Sequence, residues 1–239
     1  MNNDWNALAS MITDALHLDV APVAITFAEE EVTDVSSFDA PMSVSASDGR
    51  SGRVPAGCVF WVHAATRTFS TTPADHGNCS VGSLTHGLKS LDDVGGNEDV
   101  SELLSSGWVT MDMVPTIPTV KERPVSIIYG PLAETPIDPD VVLLRVNGRQ
   151  LMVLSDAIPG LRIEGKPQCH IVAVAKEQGI AAASVGCALS RARTGMQSHE
   201  MTCALPASKL SEIVRSIVAT AEVDGVVAKY AAKDARRFV

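Results

Sequence analysis

Aromatic side chains are scarce in this chain: three Trp, two Tyr and five Phe, 4% of 239 residues. Its core must therefore be built from Val, Ala, Leu and Ile, which is ordinary globular chemistry at an apolar fraction of 46%. There is no long basic run, and 19 Lys and Arg against 28 Asp and Glu give a formal charge of −9, so nucleic acid is not expected as a partner. No apolar run reaches the ~18 residues of a membrane span. The opening Met1-Asn2-Asn3-Asp4-Trp5 lacks the basic stretch and apolar core of a signal peptide, and the expectation is a cytoplasmic protein with no membrane partner. Internal repeats and low-complexity tracts are absent. So is any Cys-x-x-Cys pair, which excludes a zinc ribbon and the bacterial ferredoxin pattern.

A length of 239 residues allows one large domain or two small ones. The pattern favours a single α/β domain over 1–239, with a central mixed sheet and flanking helices; an α+β arrangement stays open. Trp5, Leu8, Ile12, Ala15 and Leu16 recur at helical spacing, giving a helix over 4–17 behind Asn3 or Asp4, packed on a strand at 23–27. From 29 to 57 the text turns to acidic residues, Ser, Gly and Pro, which predicts a long, flexible loop able to close over a site. An apolar run follows at 58–62 and a strand at 68–71. Helices are expected at 81–91 and 98–105. The β-branched runs 125–129 and 141–146 predict two strands lying side by side. Pro167 suits the first position of a helix over 167–178, which places Cys169 in its first turn. A strand at 180–185, another at 202–205 and two helices at 207–221 and 225–237 complete the prediction.

Five cysteines, at 58, 79, 169, 187 and 203, are an odd number in a chain large enough to fold without staples. Structural disulfides are disfavoured, leaving packing, redox chemistry or metal. Three share a setting: Gly57-Cys58, Asn78-Cys79 with Gly82, and Gly186-Cys187 followed by Ala188 and Ser190. Small neighbours let the backbone turn sharply, and N–H groups free at a helix start favour a thiolate. The same N–H groups can donate to the sulfides of a cluster. Free cysteine also packs as a small hydrophobe, and spacing alone leaves that alternative standing.

Gly57-Cys58-Val59-Phe60-Trp61, then Asp75-His76-Gly77-Asn78-Cys79-Ser80-Val81-Gly82 with Thr85-His86-Gly87, then Gly186-Cys187-Ala188-Leu189-Ser190-Arg191-Ala192-Arg193-Thr194-Gly195 with Glu200-Met201, follow one another along the chain. Ala21-Pro22-Val23-Ala24 precedes them and Leu205-Pro206 follows. In this order the segments resemble the signature of the uncharacterised family called domain of unknown function 169, most specifically in Asp-His-x-Asn-Cys. The family pattern has an acidic residue where this chain carries Ala74 and a proline where it carries Ser80. The resemblance implies no assigned activity.

With that resemblance the expected centre is a [4Fe–4S] iron–sulfur cluster held by Cys58, Cys79 and Cys187, with Cys169 a fourth ligand or a near neighbour. Three ligands leave one iron open for lyase or hydrolase chemistry on a small molecule, whereas four close the cluster and favour electron transfer. Cys203, in an apolar strand-like run, is expected to pack. His76 lies three residues before Cys79 and titrates near neutrality, so it is a catalytic candidate; the alternative is a turn residue bonding nearby. Arg191 and Arg193 are candidates to clamp an anionic substrate, with a surface pair bridged to acidic residues as the alternative. Glu200 is a candidate acid or base, against a solvated charge. Two further readings are a metal-free cysteine redox enzyme using Cys79 with His76, and a non-enzymatic small-anion-binding module. A homo-oligomer is left open.

Overall fold

The computed structural model describes residues 4–39, 57–194 and 196–238. Its strands are β1 (Val23–Ala28), β2 (Phe69–Thr71), β3 (Ser126–Pro131), β4 (Val141–Val146), β5 (Arg162–Glu164), β6 (Ala182–Ser184) and β7 (Met201–Pro206). They form one sheet in the order β2-β3-β1-β4-β7-β6-β5, antiparallel throughout except for β5 with β6. The helices are α1 (Trp5–Leu16), α2 (Gly57–His63), α3 (Ser80–Thr85), α4 (Leu91–Val94), α5 (Glu98–Ser105), α6 (Gly148–Ala157), α7 (His170–Gln178), α8 (Ala188–Thr194) and α9 (Leu210–Asp234). This is the single-domain α/β body with a mixed sheet that the sequence predicts.

Side chains alternate between the faces of a strand, and here both faces are covered. Val142, Leu144 and Val146 of β4 enter one core, with Ala24 of β1 and Cys203 and Leu205 of β7; α1, α6 and α9 close it. Val141 and Leu143 enter the other core, with Val23, Ile25 and Phe27 and with Ala204, beneath α2 and α7. Helix α1 shows how a face is set locally. Asp4 caps it by accepting from the Ala7 N–H at 3.0 Å, and Ala9, Ile12 and Leu16 fall on the buried side. Ile12 and Leu16 each contribute about 1.5–3 kcal/mol by leaving water.

Several expectations are corrected. Strands β3 and β4 are not neighbours: β1 lies between them, with Ile25 opposite Tyr129 on one side and Val141 on the other. Periodicity identifies a buried strand but carries no information on which strand it pairs with. The helix expected at 81–91 ends after Thr85, because Gly87 adopts φ +70° with its back against the Val120 carbonyl, and α4 starts separately at Leu91. Helix α7 begins at His170, with Cys169 as its N-cap residue rather than inside its first turn. The two helices expected at 207–221 and 225–237 are one, since α9 runs through Gly225. Helices α6 and α8 and strand β5 lie where no element was expected.

The predicted loop at 29–57 is described only as far as residue 39, where Ser36 and Phe38 bond to Ser70; the expectation of flexibility falls largely on 40–56, outside the described residues. Among the described residues no helix is long and apolar enough to cross a membrane.

Candidate functional site

Each of four cysteines is delivered at the beginning of a helix on the α2–α7 side of the sheet. Cys58 is the second residue of α2, Cys79 is the N-cap of α3, Cys169 is the N-cap of α7, and Cys187 immediately precedes α8. Their side chains line one cavity, which on the scale where a single water needs ~10–15 Å³ measures about 20 Å³. Val81, Trp108, Pro167 and Leu189 supply its apolar wall, and Gln168 and Arg193 its polar groups. Cys203 lies on the other face of β7, in the opposite core, as the alternation of the strand requires.

Backbone donors are aimed at two of the sulfurs. The Gly82 N–H donates to Sγ of Cys79 at 3.4 Å, and the Ser190 N–H donates to Sγ of Cys187 at 3.3 Å. A Cβ at Gly82 would lie 3.4 Å from Cys79 Sγ, so this residue stands directly against the sulfur. Gly186, at φ +94°, turns the chain from β6 into Cys187 and would meet Arg191 and Gln168 if it carried a side chain.

Electrostatics oppose ionisation at two of the thiols, Cys58 and Cys169. Burial pushes the Cys58 thiol up to about 12, negative charge at Cys79 adds to the rise, and Arg193 works against it. Cys169 is held well above its ordinary value by burial and then by Cys79, while a bond to the Thr85 hydroxyl opposes the rise. Arg193 is the only cationic side chain lining this cavity among the described residues. Burial alone would lower its pKa, but its hydrogen bond and attraction to Cys79, with Cys58 and Asp99 nearby, raise it instead.

The other predicted residues are elsewhere engaged. Arg191 donates to the backbone carbonyls of Val185 at 2.7 Å and Glu200 at 3.0 Å, and also to that of Gln197, so it clasps the segment around α8 and forms no anion clamp with Arg193. Glu200 accepts from Arg145 at 2.6 Å and from the Gln197 N–H at 2.6 Å. His76 is buried outside the cavity lining, its Nε2 3.0 Å from the Thr71 hydroxyl and its ring against Phe60. Burial, and then His86, push its pKa well below the ordinary value.

Two polar features at the site carried no readable sequence signal. Gln168 is buried at the cavity wall with its Oε1 unpartnered among the described residues. Ser80, which stands where the family pattern has proline, donates its N–H and its hydroxyl to Asp99 at 2.9 and 2.6 Å, tying α5 to the residue after Cys79. Proline has no N–H for that contact.

Among the described residues no group of three or more His, Cys, Asp or Glu closes tightly enough to hold a single metal ion. A cluster asks for a wider set, because each thiolate binds a different iron.

A family model described as DUF169, uncharacterised ArCR, matches residues 11–216 and so takes in all four cavity cysteines. No curated protein and no solved structure matches the chain.

Proposed function

We propose that this chain, which belongs to the DUF169 family, binds a [4Fe–4S] iron–sulfur cluster through Cys58, Cys79, Cys169 and Cys187 and works as a redox protein on a small molecule. The observation that carries this reading is the meeting of four cysteines, from four separated segments, in one small and largely apolar cavity. The free space between the side chains is about that of one or two waters, so the four cysteines and not the volume carry the reading, and the lining must part to admit the group. The orphaned Gln168 Oε1 marks a place where a polar partner is missing, and a half-turn of the amide offers an N–H to a sulfide. Buried as they are, the Cys58 and Cys169 thiols are costly to ionise, and neighbouring thiolates would add to that cost; a cation bound among them relieves it.

When bound, the cluster supplies a one-electron couple. The chain's own groups do the rest. The N–H groups of Gly82 and Ser190 and the guanidinium of Arg193 stabilise negative charge on sulfur, while Val81, Leu189 and Trp108 exclude water. The cysteine-nucleophile reading, which pairs Cys79 with His76, is less well supported, since His76 bonds Thr71 rather than a thiol and stands outside the cavity lining. The anion-clamp reading loses Arg191 to backbone carbonyls.

The test is the visible spectrum of anaerobically purified protein. The proposal expects broad absorption that bleaches with dithionite as a paramagnetic signal develops. A colourless protein with titratable thiols contradicts it.

A further inference from the structure

Helices α3, α4 and α5 and the segment 109–117 enclose a second cavity of about 370 Å³, within the ~300–1,000 Å³ of small-molecule sites. Leu84, Val94, Val100, Leu103, Leu104 and Ile117 form most of its wall. Helix α5 explains why the space exists. Val100, Leu103 and Leu104 fall at i, i+3 and i+4 on one side of it, yet none of its residues is fully buried. The helix is held instead from its N-terminal end, where Asp99 and Asn97 bond Ser80. Its apolar face is therefore presented to the cavity without protein filling it, a poor arrangement for packing alone.

This cavity touches the cysteine cavity. Val81 lines both, and Ser80, at its rim, directly follows Cys79. Its polar edge is weak: Ser80 is occupied by Asp99, and the one charged lining residue, Asp92, is solvent-exposed. We infer that the cavity binds an uncharged, apolar small molecule, and that this is the class of substrate or electron acceptor served by the centre. The second half of that statement rests on the iron–sulfur reading; the binding site does not.

The test is a fluorescence titration with N-phenyl-1-naphthylamine, an uncharged apolar probe, with iron assayed on the same anaerobically purified full chain. Saturable binding of one probe per chain is expected, about tenfold or more weaker in Leu104→Asp, which sets a charge in the apolar wall. Val100→Trp, which fills the space without adding charge, is expected to weaken it as well and keeps the test sound if Leu104→Asp misfolds. Met152→Asp, at an exposed position on α6, leaves it unchanged. Absence of saturable binding, or equal binding by both cavity variants, overturns the inference. Iron without probe binding removes this inference alone; probe binding without iron removes the iron–sulfur reading alone.

The far half of α9 carries an independent inference. Its buried residues end at Ile217 and its packing on the core at Ala221, but Val223, Val226, Val227 and Tyr230 continue along the outward side, each more than half exposed at 65, 68, 56 and 67%. They recur at i, i+3, i+4 and i+7, a seam for a partner helix. Glu222, Lys229 and Lys233 share one flank of that seam at helical spacing. In an antiparallel two-fold pair a flank faces its own reversed copy, so Glu222 meets the partner's Lys229 and the partner's Lys233. We propose that a second copy of this chain docks here. A seam of four side chains falls short of the ~800 Å² per partner of standard interfaces, so the dimer is weak and concentration-dependent.

Light scattering over a concentration series tests it. Dimer is expected at high concentration, loss of dimer in Val226→Asp and in Lys229→Glu combined with Lys233→Glu, and recovery when Glu222→Lys joins those two. A monomer at every concentration, or a charge swap that restores nothing, overturns it.

Discussion

Cys79 and Cys187 hold their sulfurs in the same way: each Sγ accepts the backbone N–H three residues on, from Gly82 at 3.4 Å and from Ser190 at 3.3 Å. The two lie far apart in sequence, one before α3 and the other after β6, yet the same device pre-orients both toward one cavity. Donors fixed in the backbone cannot rotate away, so they favour sulfur carrying charge whether or not a cation is bound.

Replacing Cys58, Cys79, Cys169 or Cys187 by Ser exchanges a soft thiolate for a poor iron ligand. Each variant is expected to lose most of its iron and, because ligation joins segments distant in sequence, to unfold at lower temperature than the parent. Cys203→Ser keeps its iron, since that side chain lies in the opposite core. Iron analysis of the five variants checks this, and full iron in Cys169→Ser would reduce the ligand set to three.

Arg193 is expected to tune the centre. Its guanidinium hydrogen-bonds Cys79 and sits near Cys58, so it favours the more negative, reduced state. Arg193→Gln retains the iron but shifts the midpoint potential to more negative values, by some tens of millivolts, and Arg193→Lys shifts it less. Potentiometric titration reads the difference; an unchanged potential separates Arg193 from the centre.

Glu200 and Arg191 are expected to affect stability and not chemistry. Glu200→Gln disrupts a largely buried pair with Arg145, at 2.6 Å, and costs roughly 2 kcal/mol. In a chain of this size that lowers the melting temperature by about 4–8 °C. Iron content and potential stay as in the parent, which distinguishes this role from that of an acid or base.

Stability is expected to fall in mild acid through His86. Burial pushes its pKa down from 6.5 to about 4, with the neighbouring Gly82 backbone opposing the shift. The folded chain keeps His86 neutral where the unfolded chain protonates it, so its contribution is complete above 6.5 and is lost as the pH falls toward 4. That difference amounts to about 3 kcal/mol, and the depressed His76 acts in the same direction. Urea unfolding at about pH 7 and about pH 4.5 is expected to show a smaller drop for His86→Leu than for the parent.

Local physics made much of this readable in the sequence. The 3.6-residue recurrence from Trp5 to Leu16 and the β-branched run at 141–146 correspond to α1 and β4 almost to the residue. The glycines next to Cys58 and Cys187, and Gly82 shortly after Cys79, flagged the segments that now line one cavity. Helix α6 was also within reach: Asn147 and Gln150 form a reciprocal capping box, a pattern that marks a helix start. Sheet order was not, because β1 lies between β3 and β4 through pairings of its edges that no local pattern encodes. The roles of Arg191 and Arg193 were equally hidden. They sit two residues apart on α8, so the helix sends them in different directions, one to the carbonyls around its own segment and one to Cys79. Cys169 gave no glycine signal, and only the placement of α7 brings it beside the other three.

The central claim is most directly tested by iron and acid-labile sulfide per chain, measured on protein purified without oxygen. The account predicts about four of each, as a [4Fe–4S] cluster requires, and their loss together in Cys79→Ser and Cys187→Ser. A parent chain without iron and sulfide, or a full complement of both in either variant, would contradict it.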